Sequence, residues 1–322
     1  MRKRGYEFNF AWLFAIIAGA VILFLAIYIA VKMVGTERYK LDTVTAKQLS
    51  IIFEPLETGL ASGKSNIARL RDDTRIYNKC YSADFGKNRI SLATKSSIGN
   101  AWSKPGVDIP ISNKYIFSNG TEEGRVIYFF SKPFRMPFKV SEIIFLSANS
   151  YCFVNAPEEI KNEVSGLNLE NIKTENCSGN EIRVCFGAGS CDIRVEGACL
   201  DYTCESQYDK GIVVKDNDKL YYDGFASDSE VDRSLMYAAI FSDKQIYECN
   251  IKRLMERLAE QALVYKDEAS FLIGKCSSVT GTSLIQLSGI AKSLTKSQDL
   301  TLVKVAAGNA DKENSGAECR LW

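Results

Sequence analysis

The chain has no histidine in 322 residues, and that one absence removes several mechanisms together. A Ser-His-Asp triad, a Cys-His nucleophile, a histidine-containing zinc site and a histidine-held haem all need an imidazole. Any hydrolysis would have to rest on carboxylates, a Ser-Lys pair or an oxygen-ligated metal. No CxxC pair occurs either, and structural zinc sites commonly use that spacing. With 40 basic and 39 acidic residues interspersed and no long basic block, nucleic acid is not an implied partner. Cysteine is absent from the first 79 residues.

What is present begins with MRKRGYEFNFAWLFAIIAGAVILFLAIYIAVKMVG. Residues 10–31 carry no charge. As a helix they rise about 33 Å, enough for a hydrocarbon core of about 30 Å. A cleaved secretory signal has a shorter apolar run followed by a small-residue cleavage site. No such site follows here, so the segment is expected to remain as an anchor in the lipid bilayer. Arg2, Lys3 and Arg4 precede it, whereas Lys32, Glu37, Arg38, Lys40 and Asp42 follow in a longer polar stretch. The basic flank places the N-terminus in the cytoplasm and the C-terminal bulk outside, in a single-pass cell-membrane topology.

Ten cysteines, Cys80, Cys152, Cys177, Cys185, Cys191, Cys199, Cys204, Cys249, Cys276 and Cys319, all lie on the expected exterior. An even number so confined suits disulfides, whose pairing the sequence does not disclose.

Periodicity divides the remainder. Residues 1–9 form a short basic segment or leader, and residues 32–62 an amphipathic stalk helix with a stripe at Leu41, Val44, Gln48, Ile51 or Ile52, Leu56 and Leu60. That stripe needs a partner, its own head or neighbouring copies. Period-two alternation dominates residues 74–224, the β-rich extracellular region. Its best hairpins are EIRVCFGAGSCDIRVEG and GIVVKDNDKLYYDG. Residues 227–322 return to helix packed on the head. Ser227 and Glu230 form a capping box there, Ile251, Leu254, Leu258 and Ala262 mark a long amphipathic helix, and 308–318 has the composition of an exposed loop. The expected fold class is thus α+β: a transmembrane helix extending into a stalk, a β-rich disulfide-braced head and a helical C-terminal region.

Motifs of chemistry are weak. GLASGKS, at 59–65, has three rather than four residues between Gly59 and the GK pair, so it is not a phosphate loop. Ser293 and Lys296 have the S-x-x-K spacing, without SDN or KTG to complete it. Asp216, Asn217 and Asp218 resemble the start of a calcium loop, but the later ligand and glycine positions hold Leu220 and Tyr221. Asp228, Glu230 and Asp232 suit a helix N-terminus without a cation. Tyr202, Tyr208, Tyr221, Tyr222 and Tyr237 could furnish a recognition surface. Asn119-Gly120-Thr121 and Asn176-Cys177-Ser178 match the N-glycosylation pattern. No catalytic residue, cofactor or metal is assigned.

Lys3, Arg4, Gly5, Tyr6 and Glu7, followed by the hydrophobic run, resemble the start of an archaeal type IV pilin precursor. The resemblance implies a membrane peptidase cutting after Gly5, with Tyr6 opening the mature chain. It also implies self-association through the N-terminal helix in a filament core beneath a β-rich head. Three function classes therefore stand: a membrane-anchored cell-surface protein with a structural or binding role toward a surface protein or glycan, a pilin-like filament subunit, and an exported hydrolase using carboxylates or a Ser-Lys pair.

Overall fold

A computed structural model describes residues 10–57, 65–83, 85–95, 101–187, 189, 191–197, 211–223, 226–227, 230–275 and 281–322. Helix α1 (Phe10–Glu57) runs unbroken for 48 residues, about 72 Å. Among the described residues it is the one helix long and apolar enough to cross a membrane. Its large apolar side chains from Phe10 to Val34 are exposed, while Asp42, Ala46 and Leu49 are buried on the head. The docked face is therefore not the expected apolar stripe: Leu41 is 62% and Val44 53% exposed, against 1% for Ala46 and 2% for Leu49. Close fit selected the face. Gly106 lies so near that an added Cβ would stand 2.9 Å from Thr43 Oγ1, and Asp42 accepts a hydrogen bond from Ser103 Oγ at 2.8 Å.

That face rests on a six-stranded sheet made of β1 (Ser65–Tyr81), β2 (Lys87–Thr94), β3 (Ile109–Ile111), β4 (Tyr115–Phe117), β5 (Thr121–Arg135) and β6 (Lys139–Ser147). Strand structure thus begins at Ser65, ahead of the expected residue 74. The order is β3-β2-β1-β5-β6-β4, antiparallel except where β4 runs parallel to β6. Alternation along the strands divides the side chains between two cores. Ile116, Ile127, Phe129, Ile144 and Leu146 join Ala46 and Leu49 beneath α1, while Tyr115, Phe117, Phe130, Phe134, Ile143 and Phe145 enter the main core. Burial on both faces explains the consecutive apolar residues Ile143, Ile144, Phe145 and Leu146 in β6. Pro133 is tolerated in β5 because pairing with β1 has ended at Phe130.

A second sheet covers part of the main core. It contains β7 (Tyr151–Val154), β8 (Ile172–Lys173), β9 (Ile182–Phe186), β10 (Ile193–Gly197), β11 (Gly211–Lys215) and β12 (Asp218–Tyr222), with α2 (Glu158–Gly166) between β7 and β8. Its order is β12-β11-β10-β9-β7-β8. The hairpin expected across GAGS is absent: β9 and β10 are parallel, with Ile193 beside Val184. Period-two alternation is the same for either direction, so the pattern does not decide it. The connection doubles back through Gly187, at φ +89°, and the Cys185–Cys191 disulfide. Arg183 N–H also donates to Asp192 Oδ2 at 2.8 Å. The β11–β12 hairpin forms as expected. Asp216 and Asn217 hold φ values of 48° and 66°, the left-handed pair of a tight two-residue turn.

The capping box at Ser227 does not form. Strands β13 (Ala226–Ser227) and β14 (Glu230–Val231) pair there instead, and helix α3 (Ser234–Phe241) begins later. Asp232 Oδ1 accepts from Ser234 N–H at 2.7 Å in its place. Helix α4 (Lys244–Leu272) is N-capped by Asp243, which accepts from Ile246 N–H, and left-handed Gly274 follows it. Helix α5 (Thr282–Ser293) packs on α4, and α6 (Leu300–Ser315) on α5. Helix α6 takes in most of the expected loop at 308–318. Val303, Ala306, Ala307, Ala310 and Asn314 continue one buried stripe through the polar composition. The end of the chain is held by Trp322, whose ring meets Phe138 and Tyr265.

Candidate functional site

At 3.6 residues per turn, Val44 points almost opposite Ala46. Helix α1 therefore presents one face to its own head and leaves Leu41 and Val44 exposed, with no partner among the described residues, about 15–20 Å beyond Val31 at 1.5 Å per residue. Glu37 and Lys40 are exposed on the same stretch.

The head is bolted by a buried cation. Arg253, on α4, is fully buried. Its guanidinium donates to Asn88 Oδ1 at 2.5 Å, Asn250 Oδ1 at 2.7 Å and the carbonyls of Lys114 at 3.1 Å and Phe85 at 3.2 Å. The same group lies 4.7 Å from the Tyr115 ring centroid. Burial lowers its pKa to about 10, so it remains charged at neutral pH. Oxygen dipoles and a ring face take the place of a carboxylate. Gly86, at φ +59°, lets the turn after β1 close over the Arg253 stem. Beside this network the Cys80–Cys249 disulfide joins β1 to α4. Shut off from solvent, Arg253 fastens elements of the head to one another.

A second polar cluster carries the perturbed charges that mark active sites in many proteins. Burial raises the pKa of Glu122 and lowers that of Lys215 to about 8. The geometry is nevertheless that of a clamp. Glu122 accepts from Asn119 N–H and Nδ2, Ala148 N–H, Asn149 Nδ2 and Ser147 Oγ. Asp243 accepts from Gly120 N–H at 2.6 Å besides its helix cap. Lys215 Nζ donates to Ile240 O at 3.3 Å and Asn119 Oδ1 at 3.5 Å. These carboxylates spend their lone pairs on fixing the β4–β5 turn.

The residues singled out in the sequence disperse. Gly5 and Tyr6 lie outside the described residues, as do Cys199, Cys204, Cys276, Asp228, Tyr202 and Tyr208. Cys80 pairs with Cys249, Cys152 with Cys177 and Cys185 with Cys191. Cys319 is also disulfide-bonded. Helix α5 stops at Ser293, so Lys296 does not share a helical turn with it, and Ser293 Oγ donates back to Ile290 O. Of GLASGKS only Ser65 is described, opening β1. Asn119 has its amide committed to Glu122, whereas Asn176 is exposed at φ 53°. Tyr222 and Tyr237 are core residues, and Tyr221 is half-buried. Among the described residues, no three acidic or cysteine side chains converge as a metal site would require. Sequence reasoning missed Arg253, for which an arginine on the apolar side of the α4 pattern was the available signal. Comparison with protein-family models, curated proteins and solved structures returns no match.

Proposed function

We propose that this is a single-pass membrane protein holding a disulfide-braced head outside the cell membrane, N-terminus inside, in a structural or binding role toward a surface protein or glycan. The observation that carries this reading is the division of α1. Its first half exposes an unbroken apolar surface, and its second half is locked to the head. Exposed apolar area of that length is costly in water and favourable in a bilayer. Disulfides in the head support the oxidising side, and Arg2, Lys3 and Arg4 support an inside N-terminus. A membrane-impermeant amine label on intact cells should tag exposed lysines such as Lys79 and Lys219. Tagging only after lysis would reverse the topology.

A second reading, a pilin-like subunit assembling through α1, is favoured by one observation. Leu41 and Val44 are exposed apolar residues turned away from the head, available to a neighbouring helix. It requires processing after Gly5. N-terminal sequencing that finds Tyr6 first supports it, and retention of Met1 removes it.

A further inference from the structure

On the head, a cleft of about 560 Å³ opens where three distant segments meet: the β12 edge, the first turns of α4 and the α5–α6 connection. Its volume is ordinary for a ligand site. The floor is rigid. Tyr247 Oη donates to Tyr221 O at 2.6 Å, and Tyr221 N–H donates to Ser297 Oγ at 3.4 Å. Ser297 N–H and Oγ both donate to Glu248, at 2.8 and 2.6 Å. Alternation along β12 buries Leu220 and Tyr222 and turns Lys219 and Tyr221 to the same outer side.

Charge in the cleft is unbalanced by position. Asp218 pairs with Lys244 at 2.8 Å, and both Glu248 oxygens are held by Ser297. Lys219 and Lys296 line the same cleft, are exposed, and have no acidic partner among the described residues. Two exposed ammonium groups and a half-buried tyrosine therefore line one cleft, together with Thr295 and Asn217. Pyranose rings stack on aromatic faces and offer hydroxyls to such polar side chains, and uronate carboxylates meet lysine.

We infer that this cleft binds a short stretch of acidic polysaccharide: carboxylate groups on Lys219 and Lys296, a sugar ring on Tyr221. The choice of a glycan rests on the surface-display reading. The cleft itself does not, because it can be assayed in purified protein whichever side of the membrane the head occupies. The test uses the full chain in zwitterionic phosphatidylcholine nanodiscs, titrated with trigalacturonate, with the uncharged galactose trimer and with triglutamate.

Trigalacturonate should bind, weakening as salt rises, while the neutral trimer binds at least ten times more weakly. K219Q/K296Q, at exposed positions, should lower trigalacturonate affinity at least tenfold with an unchanged thermal midpoint. Tyr221→Leu should lower it at least threefold while leaving triglutamate unaffected. No trigalacturonate binding, equal binding by the double variant, or triglutamate binding as tightly as the sugar would overturn the assignment. A failed surface label with intact trigalacturonate binding would remove the display reading and leave the cleft standing.

Discussion

Replacing Cys80 and Cys249 together by serine removes the longest covalent tie described in the head, one joining residues 169 apart. In the chain-entropy treatment, closing a loop of that length restricts the unfolded chain by about 5 kcal/mol at 25 °C. The bridges described inside it, Cys152–Cys177 and Cys185–Cys191, span only 25 and 6 residues. They shorten the loop too little to alter a logarithm appreciably. For the 185–191 pair alone the same treatment gives about 2 kcal/mol. The tie also sits where β1 meets α4, beside Asn250 and Arg253, so the loss falls on the junction between sheet and helices. Equilibrium urea unfolding of the full chain in detergent, followed by far-ultraviolet circular dichroism, measures it. With a slope of about 2.5 kcal/mol/M, C80S/C249S should lower the midpoint by roughly 2 M and C185S/C191S by less than about 1 M. Equal shifts for the two double variants would refute the argument that loop length governs the contribution.

Leu49→Ala should destabilise the head by about 2–3 kcal/mol through loss of packing beneath α1. Leu41→Ala, on the exposed side, should change stability by less than about 0.5 kcal/mol, and thermal midpoints distinguish the two. Arg253→Met should cost about 3–5 kcal/mol in urea unfolding, because two asparagine oxygens and two carbonyls lose their shared donor in a dry interior. Lys215 gives a pH signature. Its pKa is about 8 in the folded protein against 10.5 ordinarily, because burial outweighs the attraction of Asp243, Asp216, Glu122 and Asp218. The unfolded chain thus binds that proton more tightly, and stability rises as pH climbs from about 8 toward 10.5. Lys215→Met should flatten that rise in a series of urea midpoints.

Long periodic elements were legible in the sequence. The apolar run and the stalk form one helix, α4 stops just ahead of Gly274, and Asp216-Asn217 makes the turn their chemistry favours. What stayed hidden turns on choices that periodicity does not encode. Alternation marks β9 and β10 as strands yet is blind to their direction, which the doubling-back at Gly187 and the 185–191 bridge set. Apolar spacing on the stalk pointed to Leu41 and Val44, but docking took the face where small Ala46 and hydrogen-bonding Asp42 allow close approach. Helix α6 was obscured because its buried side includes small Ala306, Ala307 and Ala310 beside polar Thr301, Lys304 and Asn314, which hydropathy weighs lightly. The polar clusters stayed hidden for a related reason. Four-residue motifs specify spacing along the chain, whereas the Arg253 bolt draws on segments more than a hundred residues apart, and Lys219 and Lys296 of the cleft are separated by 77 residues.

The central claim, a bilayer-held α1 with its head on the oxidising side, is tested most directly by nonreducing peptide mapping of protein taken from cells whose thiols were blocked before lysis. The account predicts linked peptides for Cys80 with Cys249, Cys152 with Cys177 and Cys185 with Cys191, recovered from the membrane fraction. Recovery of these six cysteines as blocked free thiols would contradict it.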